Sequence, residues 1–276
     1  MRVAATTLVA AREVREAARS RWFVLTAACF LVLSLALSLL GLAGARRAGL
    51  AGFDRTTASV LNLMLVFVPL VTLSLGGLGI AGELEDQSLS MLLAQPVTRA
   101  EVYAGKYVGL LAAVWAAILA GFGATGIVVG TTAGGDVRAF CGVVALALLL
   151  AAATLAVGTL LSVALRARAR VVGAAFAVWL LLVYVSDLGT IGLAVARSLA
   201  PGQVFVLALL NPVQQARVLG TLALTDRLDV LGPVGMFGLD RFGAAGLVAV
   251  LGAALLALAV VPLAAGYALF RKMVVP

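Results

Sequence analysis

The residue types that ordinarily carry chemistry are scarce in this chain. It has no histidine and two cysteines, Cys29 and Cys141, each inside an apolar stretch. The usual general bases and thiol nucleophiles are therefore missing, and two separated thiols make neither a disulfide framework nor a metal-ligand spacing. Gly105-Lys106 is followed by Tyr107, and the position five before Gly105 is Ala100. The phosphate-cradling pattern of Gly, four residues, then Gly-Lys-Ser/Thr is not met. No catalytic residue and no resident cofactor or metal is assigned, and any work driven by ATP needs ATP and Mg²⁺ on another chain. What remains is a knot of acids, Glu83, Glu85 and Asp86, and one ionisable residue within an apolar run, Asp187. The acids could hold Mg²⁺, but such sites draw converging ligands from several elements, and electrostatic docking is the favoured reading. A carboxylate in lipid costs about 2.5–3.5 kcal/mol on insertion scales, so Asp187 must face the bundle, a cavity or an interface. It lies 17 residues beyond Arg170, roughly 25 Å at helical rise. A gating role and an outer-boundary cap both stay open for it.

The acids open a longer polar interval, Gly82 to Gly109. A short apolar turn follows them, with Leu89, Met91, Leu92 and Leu93, and Pro96 then breaks the chain. Thr98 and Glu101 have the spacing of a capping box, in which hydroxyl and carboxylate each satisfy an orphan backbone N–H of a new helix. An apolar turn rimmed by charge would be pointless on a connector in water. The interval therefore reads as a small helix offered to a soluble partner, with Glu83, Glu85, Asp86, Leu89, Leu92, Leu93, Pro96 and Arg99 as the candidate contact residues.

The elements that must position this interval are membrane spans. The chain is 63% hydrophobic and 12% charged, with mean hydropathy +1.16, where soluble domains run near about 45–50% and about 25%. Charges bound apolar gaps long enough to cross the hydrocarbon core, near 22–42, 59–81, 107–130, 139–165, 171–196 and 244–270. The fold class is thus an all-α polytopic membrane protein, a single domain with six transmembrane helices. Residues 1–21 precede them with a helical stripe of Val3, Thr7, Ala10, Val14 and Ala17, set apart from Arg12, Glu13, Arg15, Glu16 and Arg19. This predicts an amphipathic helix lying at the interface. No cleavable leader is expected. Residues 197–243 hold Pro201, Asn211, Pro212 and Pro233. They read as an outer segment, with a short helix at or just outside the membrane surface, forming a cap or a partner surface.

An even number of spans puts both termini on one side. That side carries Arg2, Arg12, Arg15, Arg19, Arg21, Arg99, Lys106, Arg166, Arg168, Arg170, Arg271 and Lys272. The other carries Arg46, Arg47, Arg55, Arg138, Arg197, Arg217, Arg227 and Arg241. The excess of cations predicts cytoplasmic termini. The net charge of +8 is then a lipid-facing charge and not a sign of nucleic acid. Small-residue pairs, Gly105 with Gly109 and Gly126 with Gly130, would let helices approach closely.

The acid-rich start, small apolar helix, Pro96, Thr98-Arg99 and Gly105-Lys106 at the head of a span resemble the first cytoplasmic loop of ABC-2-type transporter permeases. Val178-Trp179 through Ser186-Asp187-Leu188, then Leu210-Asn211-Pro212, and the Tyr267-to-Lys272 ending are similar to the NosY-type permeases of nitrous oxide reductase maturation systems. The resemblance implies a coupling helix between spans 2 and 3, seated in a cleft of a separate cytoplasmic ATPase subunit. It also implies a second copy of this chain, a periplasmic accessory protein and a bacterial inner-membrane location. The work would be copper supply to, or assembly of, the copper centres of nitrous oxide reductase.

The residues add a constraint. A copper path needs converging soft ligands, whereas Cys29, Cys141 and Met64 are spread over three spans and read as apolar packing. Movement of an external partner is therefore favoured over passage of bare copper. Export of a lipid, glycan, drug or peptide keeps the family and changes the cargo. An ion-coupled secondary carrier is a further alternative, but such carriers show internal repeats and midplane ionisable groups, which this chain lacks.

Overall fold

The computed structural model describes residues 2–48, 52–132, 137–185, 201–224 and 232–274. Among them there is no strand. The helices are α1 (Arg2–Arg19), α2 (Arg21–Ala48), α3 (Gly52–Glu85), α4 (Ser88–Leu93), α5 (Arg99–Thr132) and α6 (Val137–Leu165). They continue with α7 (Arg168–Leu180), which runs into a π-helical turn at Leu181–Val185, then α8 (Pro201–Leu209), α9 (Pro212–Leu224) and α10 (Gly232–Lys272). Six of them are long and apolar enough to cross a membrane: α2, α3, α5, α6, α7 with its π turn, and α10. The chain is an all-α polytopic membrane protein.

Helix ends differ from the charge-gap reading in an instructive way. α3 continues through Glu83 to Glu85, and α5 begins at Arg99, two turns before the apolar run. Both helices therefore project beyond their spans at the same end of the bundle. α10 starts at Gly232 but breaks at Gly243, whose φ of 68° is left-handed, a conformation that glycine adopts without Cβ strain. The break falls one residue before the point where the charge pattern starts the last span.

α3 and α6 form the centre. Apolar burial drives little association in lipid, so close packing and interhelical hydrogen bonds must do it. A Cβ on Gly76 would lie 2.6 Å from the Leu155 carbonyl oxygen, and one on Gly158 would lie 2.7 Å from that of Leu73. The two backbones touch. Thr72 Oγ1 and Thr154 Oγ1 are 2.6 Å apart within this contact. One turn further, Ser162 Oγ accepts from the backbone N–H groups of Ile80 and Ala81 at 3.1 and 2.8 Å.

α1 does not simply float on lipid. It lies across α5, where Gly105 and Gly109 form a notch: added Cβ atoms would meet Val9 at 2.7 Å and the Ala10 carbonyl oxygen at 2.6 Å. The Gly105–Gly109 pair thus serves the amphipathic helix. The protein-facing stripe is Val9, Glu13 and Ala17, all buried. Thr7 and Val14 of the expected stripe stay exposed, beside the exposed Leu8. The stripe read from sequence is displaced because Glu13 was placed with the polar face.

The described part of the outer segment is a helical hairpin packed into the bundle, a correction to the surface helix expected there. Asn211 makes its turn. Its Oδ1 accepts from the N–H groups of Val213 (2.9 Å) and Gln214 (3.3 Å), and its Nδ2 donates to the Leu182 carbonyl oxygen at 2.8 Å. Leu182 is 14 residues along from Arg168, roughly 21 Å of helix. Val213, Gln215 and Ala216 are buried, and Gly220 abuts Leu61 of α3. Asn211, which marked this segment as superficial, acts as an internal cap and as the partner of a π-turn carbonyl. Asp187 lies outside the described residues.

Candidate coupling site

The site lies where α3, α4, α5 and the end of α10 meet. α3 ends at Glu85, and Gln87 adopts a left-handed conformation (φ 57°) that turns the chain into α4. After Pro96, the capping box forms. The Thr98 N–H donates to Glu101 Oε2 at 2.7 Å, and the Glu101 N–H donates to Thr98 Oγ1 at 3.3 Å. α4 is only 6 residues long, too short to hold itself in water. Tertiary contacts hold it. Leu89 is fully buried and Leu92 nearly so, in a cluster with Ile80, Tyr103, Val163 and Phe270.

That placement corrects part of the predicted contact set. Leu89 and Leu92 face inward, because a single-turn helix has no other way to be fixed, and Leu93 is half-buried against the same cluster. Arg99 also faces inward: its Nη1 donates to the carbonyl oxygens of Phe270 (3.3 Å), Arg271 (3.0 Å) and Met273 (2.6 Å). A guanidinium there satisfies the orphan carbonyls and the negative end of α10. The surface left to a partner is Gln87, Met91, Ala94, Gln95 and Pro96, with Met91 73% exposed.

The three acids divide the same way. Glu83 is turned in, and its Oε1 lies 2.8 Å from Lys106 Nζ and 3.5 Å from Arg12. Lys106, 1% exposed, also reaches Glu13 Oε1 at 2.7 Å and the Gly79 carbonyl oxygen at 3.3 Å. One ammonium thus ties α1, α3 and α5 together. Burial pushes the Glu13 carboxyl above its ordinary value, against the pull of Lys106. Glu85 and Asp86 remain exposed but clamp the α6–α7 corner. Glu85 Oε1 accepts the Arg168 N–H at 2.8 Å, at the start of a helix whose own N-cap, Ala167, has no capping side chain. Asp86 pairs with the Arg168 guanidinium, which also donates to the Gly82 carbonyl oxygen at 3.0 Å. Carboxylate oxygens of Glu13, Glu16 and Glu83 lie within 4.8 Å of one another, but Lys106 and Arg12 already supply the positive charge among them.

Glu13, Lys106 and Arg168 were not in the predicted set. A lysine one turn past a capping box, on a helix that runs straight into an apolar span, was the available signal for Lys106. Its partner Glu13 is 93 positions away, a pairing that local pattern does not show.

The profile of the ABC-2 family transporter proteins matches residues 7–275, from the middle of α1 to past the end of α10. This chain belongs to the ABC-2 transporter family. Relatives in the family include a protein of Stutzerimonas stutzeri named "Probable ABC transporter permease protein NosY". It is 30% identical over 271 residues, 96% of this chain and 97% of the relative. A protein of the same name from Pseudomonas aeruginosa is 28% identical over 218 residues, 76% of this chain and 79% of the relative. As an ABC-2 permease the chain is a multi-pass transmembrane subunit of an ABC transporter. The capping box, the buried leucines and the ionic junction are therefore features of a transporter's membrane part.

Proposed function

We propose that this permease is driven by a separate cytoplasmic ATPase subunit through α4. Its work is assembly of the copper centres of nitrous oxide reductase on the far side of the membrane, together with a second copy of itself and a periplasmic accessory protein. One observation carries the coupling part. α4 is fixed to its bundle by Leu89 and Leu92, and the helix that follows it is tied to α10 by Arg99, while Met91, Gln95 and Pro96 project outward. A rigid foot with an exposed apolar tip passes force, where a loose loop would absorb it. Met91 is a side chain suited to adaptable apolar contact. The names of the two relatives support the maturation role. The location that follows is the bacterial inner membrane, with cytoplasmic termini.

Two substitutions on one short helix separate contact from support. Met91→Asp should leave the thermal unfolding midpoint of the chain within a degree or so, since surface changes stay within about 0.5 kcal/mol, and should abolish transport-linked ATPase activity of the purified complex. Leu92→Asp should lower the midpoint itself, because it buries a carboxylate among apolar neighbours. ATPase coupling unchanged in the Met91→Asp complex would refute the role of α4.

The cargo reading has its own test. Cys29 and Cys141 are exposed while Met64 is fully buried in the core, so the three soft side chains do not line one path. Replacing all three (Cys29→Ser, Cys141→Ser, Met64→Leu) should leave copper-centre assembly in nitrous oxide reductase intact. Its loss in a normally folded complex would favour passage of copper through this chain.

A further inference from the structure

The helices that hold the α8–α9 hairpin do not hold it alike. α6 meets it across an apolar gap of about 350 Å³, walled by Leu146 and Leu149 of α6 and by Leu219 and Leu222 of α9. Side chains along such a gap lack partner atoms on one side, so α6 steadies the hairpin weakly and leaves it room to shift. α3 touches it through Leu61 against Gly220. α10 touches it through Leu247 and Leu251, in one cluster with Val204 and Phe205. Both α3 and α10 carry a proline between these contacts and the α4 end, Pro69 and Pro262. An interior proline removes a helix hydrogen bond and bends the helix. α7 has no proline and is fastened by polar groups at both ends. At its start, Arg168 is bound by Glu85, Asp86 and the Gly82 carbonyl oxygen, two residues before α4 begins. At its far end, the Leu182 carbonyl oxygen in the π turn accepts from Asn211 Nδ2 at 2.8 Å. Asn211 is 6% exposed, so water does not compete for that bond, and a π turn is a place where a helix bends.

We propose that Asn211 is a positioning residue for transport: α7 carries movement from the α4 end of the bundle to the α8–α9 hairpin, and the Asn211–Leu182 bond is the joint. Movement enters α7 at Arg168 and leaves it at the π turn. The inference rests on the reading that the ATPase drives the α4 end, and adds where that drive goes. Asn211 has two tasks, and they can be separated. Its Oδ1 caps α9 by accepting from the N–H groups of Val213 and Gln214, while its Nδ2 holds α7. Serine caps a helix about as well as asparagine does. It has no second polar atom to reach Leu182. Asn211→Ser therefore keeps the cap and opens the joint.

Hydrogen exchange of the full chain, purified with the subunits that accompany it, tests this by comparing the nucleotide-free complex with one trapped by ATP and vanadate. In the wild type, residues 201–224 should exchange at rates that differ about fivefold between the two states, the scale of one hydrogen bond. In Asn211→Ser the two states should exchange alike. A purely structural loss would raise exchange in both states and leave their ratio unchanged. Arg168→Gln, at the exposed near end of α7, should abolish the difference too, and decides the matter if Asn211→Ser fails to fold. Thr221→Val removes a bond within α9, to the Arg217 carbonyl oxygen, and should keep the difference. The proposal is overturned if the wild-type hairpin exchanges alike in both states. It is equally overturned if the difference survives in Asn211→Ser or Arg168→Gln, or is lost in Thr221→Val. Residues 82–99 keep the two readings apart. A hairpin difference that needs Asn211 and Arg168, with no change at 82–99, supports the joint and refutes α4 as the receiver. A change at 82–99 with none in the hairpin refutes the joint alone.

Discussion

Lys106 is the residue on which the α4 end of the bundle depends most. Its ammonium is taken out of water and held by two carboxylates and a carbonyl oxygen. Removing one partner of a buried ion pair leaves an uncompensated charge and costs about 3–5 kcal/mol. Lys106→Met should therefore lower stability by that amount, measured by thermal unfolding in detergent. A second partner substitution, Glu83→Gln, should recover part of the loss. Glu13 adds a pH dependence. Its carboxyl is raised in the folded chain above the ordinary value of 4.5 by burial, so the folded state binds its proton more tightly than the unfolded state. Stability then falls as pH rises from about the ordinary carboxylate value through the raised one, and is flat above it. Glu13→Gln should flatten that slope in a series of unfolding midpoints, and an unchanged slope would remove Glu13 from the account. Local pattern showed the capping box at Thr98 and Glu101, because both partners lie in four consecutive residues. It did not show which way Glu83, Leu89 or Arg99 would point, because their partners, Lys106, Phe270 and Met273, come from other helices.

At the scale of elements, α4 and α1 are linked through α5. Leu92 and Tyr103 share a cluster, and from two residues further along α5 the Gly105–Gly109 notch receives α1. A push on α4 therefore reaches α1 through one rigid helix and the Lys106 junction. Gly109→Leu tests the notch. Its Cβ would fall 2.6 Å from the Ala10 carbonyl oxygen and from Glu13 Cβ, so α1 must lift. Overpacking of this kind costs about 1–3 kcal/mol. Hydrogen exchange should show residues 2–19 losing protection while α3 and α6 keep theirs. Equal exchange in variant and wild type would mean that α1 is held elsewhere. The α8–α9 hairpin shows where element prediction ran out. Pro201, Asn211 and Pro212 read as a surface marker, since each disfavours a helix in lipid. In the folded chain Asn211 caps α9 and satisfies a carbonyl of the π turn, so the same residues become the hairpin's internal fastening.

For the whole molecule, the spans were legible because charge is costly in lipid, and the gaps between charges could be counted directly. The ends were less legible, because α3 and α5 run on past their apolar runs as helices that carry α4 between them. Their protruding turns carry the polar residues that looked like a loop. The central claim is that this foot, and no other surface, meets the ATPase. A photoreactive residue in place of Met91, activated in the membrane complex, measures that most directly. The account predicts a cross-linked adduct containing the ATPase chain, and none when the same residue replaces Leu207 of α8. An ATPase adduct from position 207, or none from position 91 in a complex that still hydrolyses ATP, would contradict it.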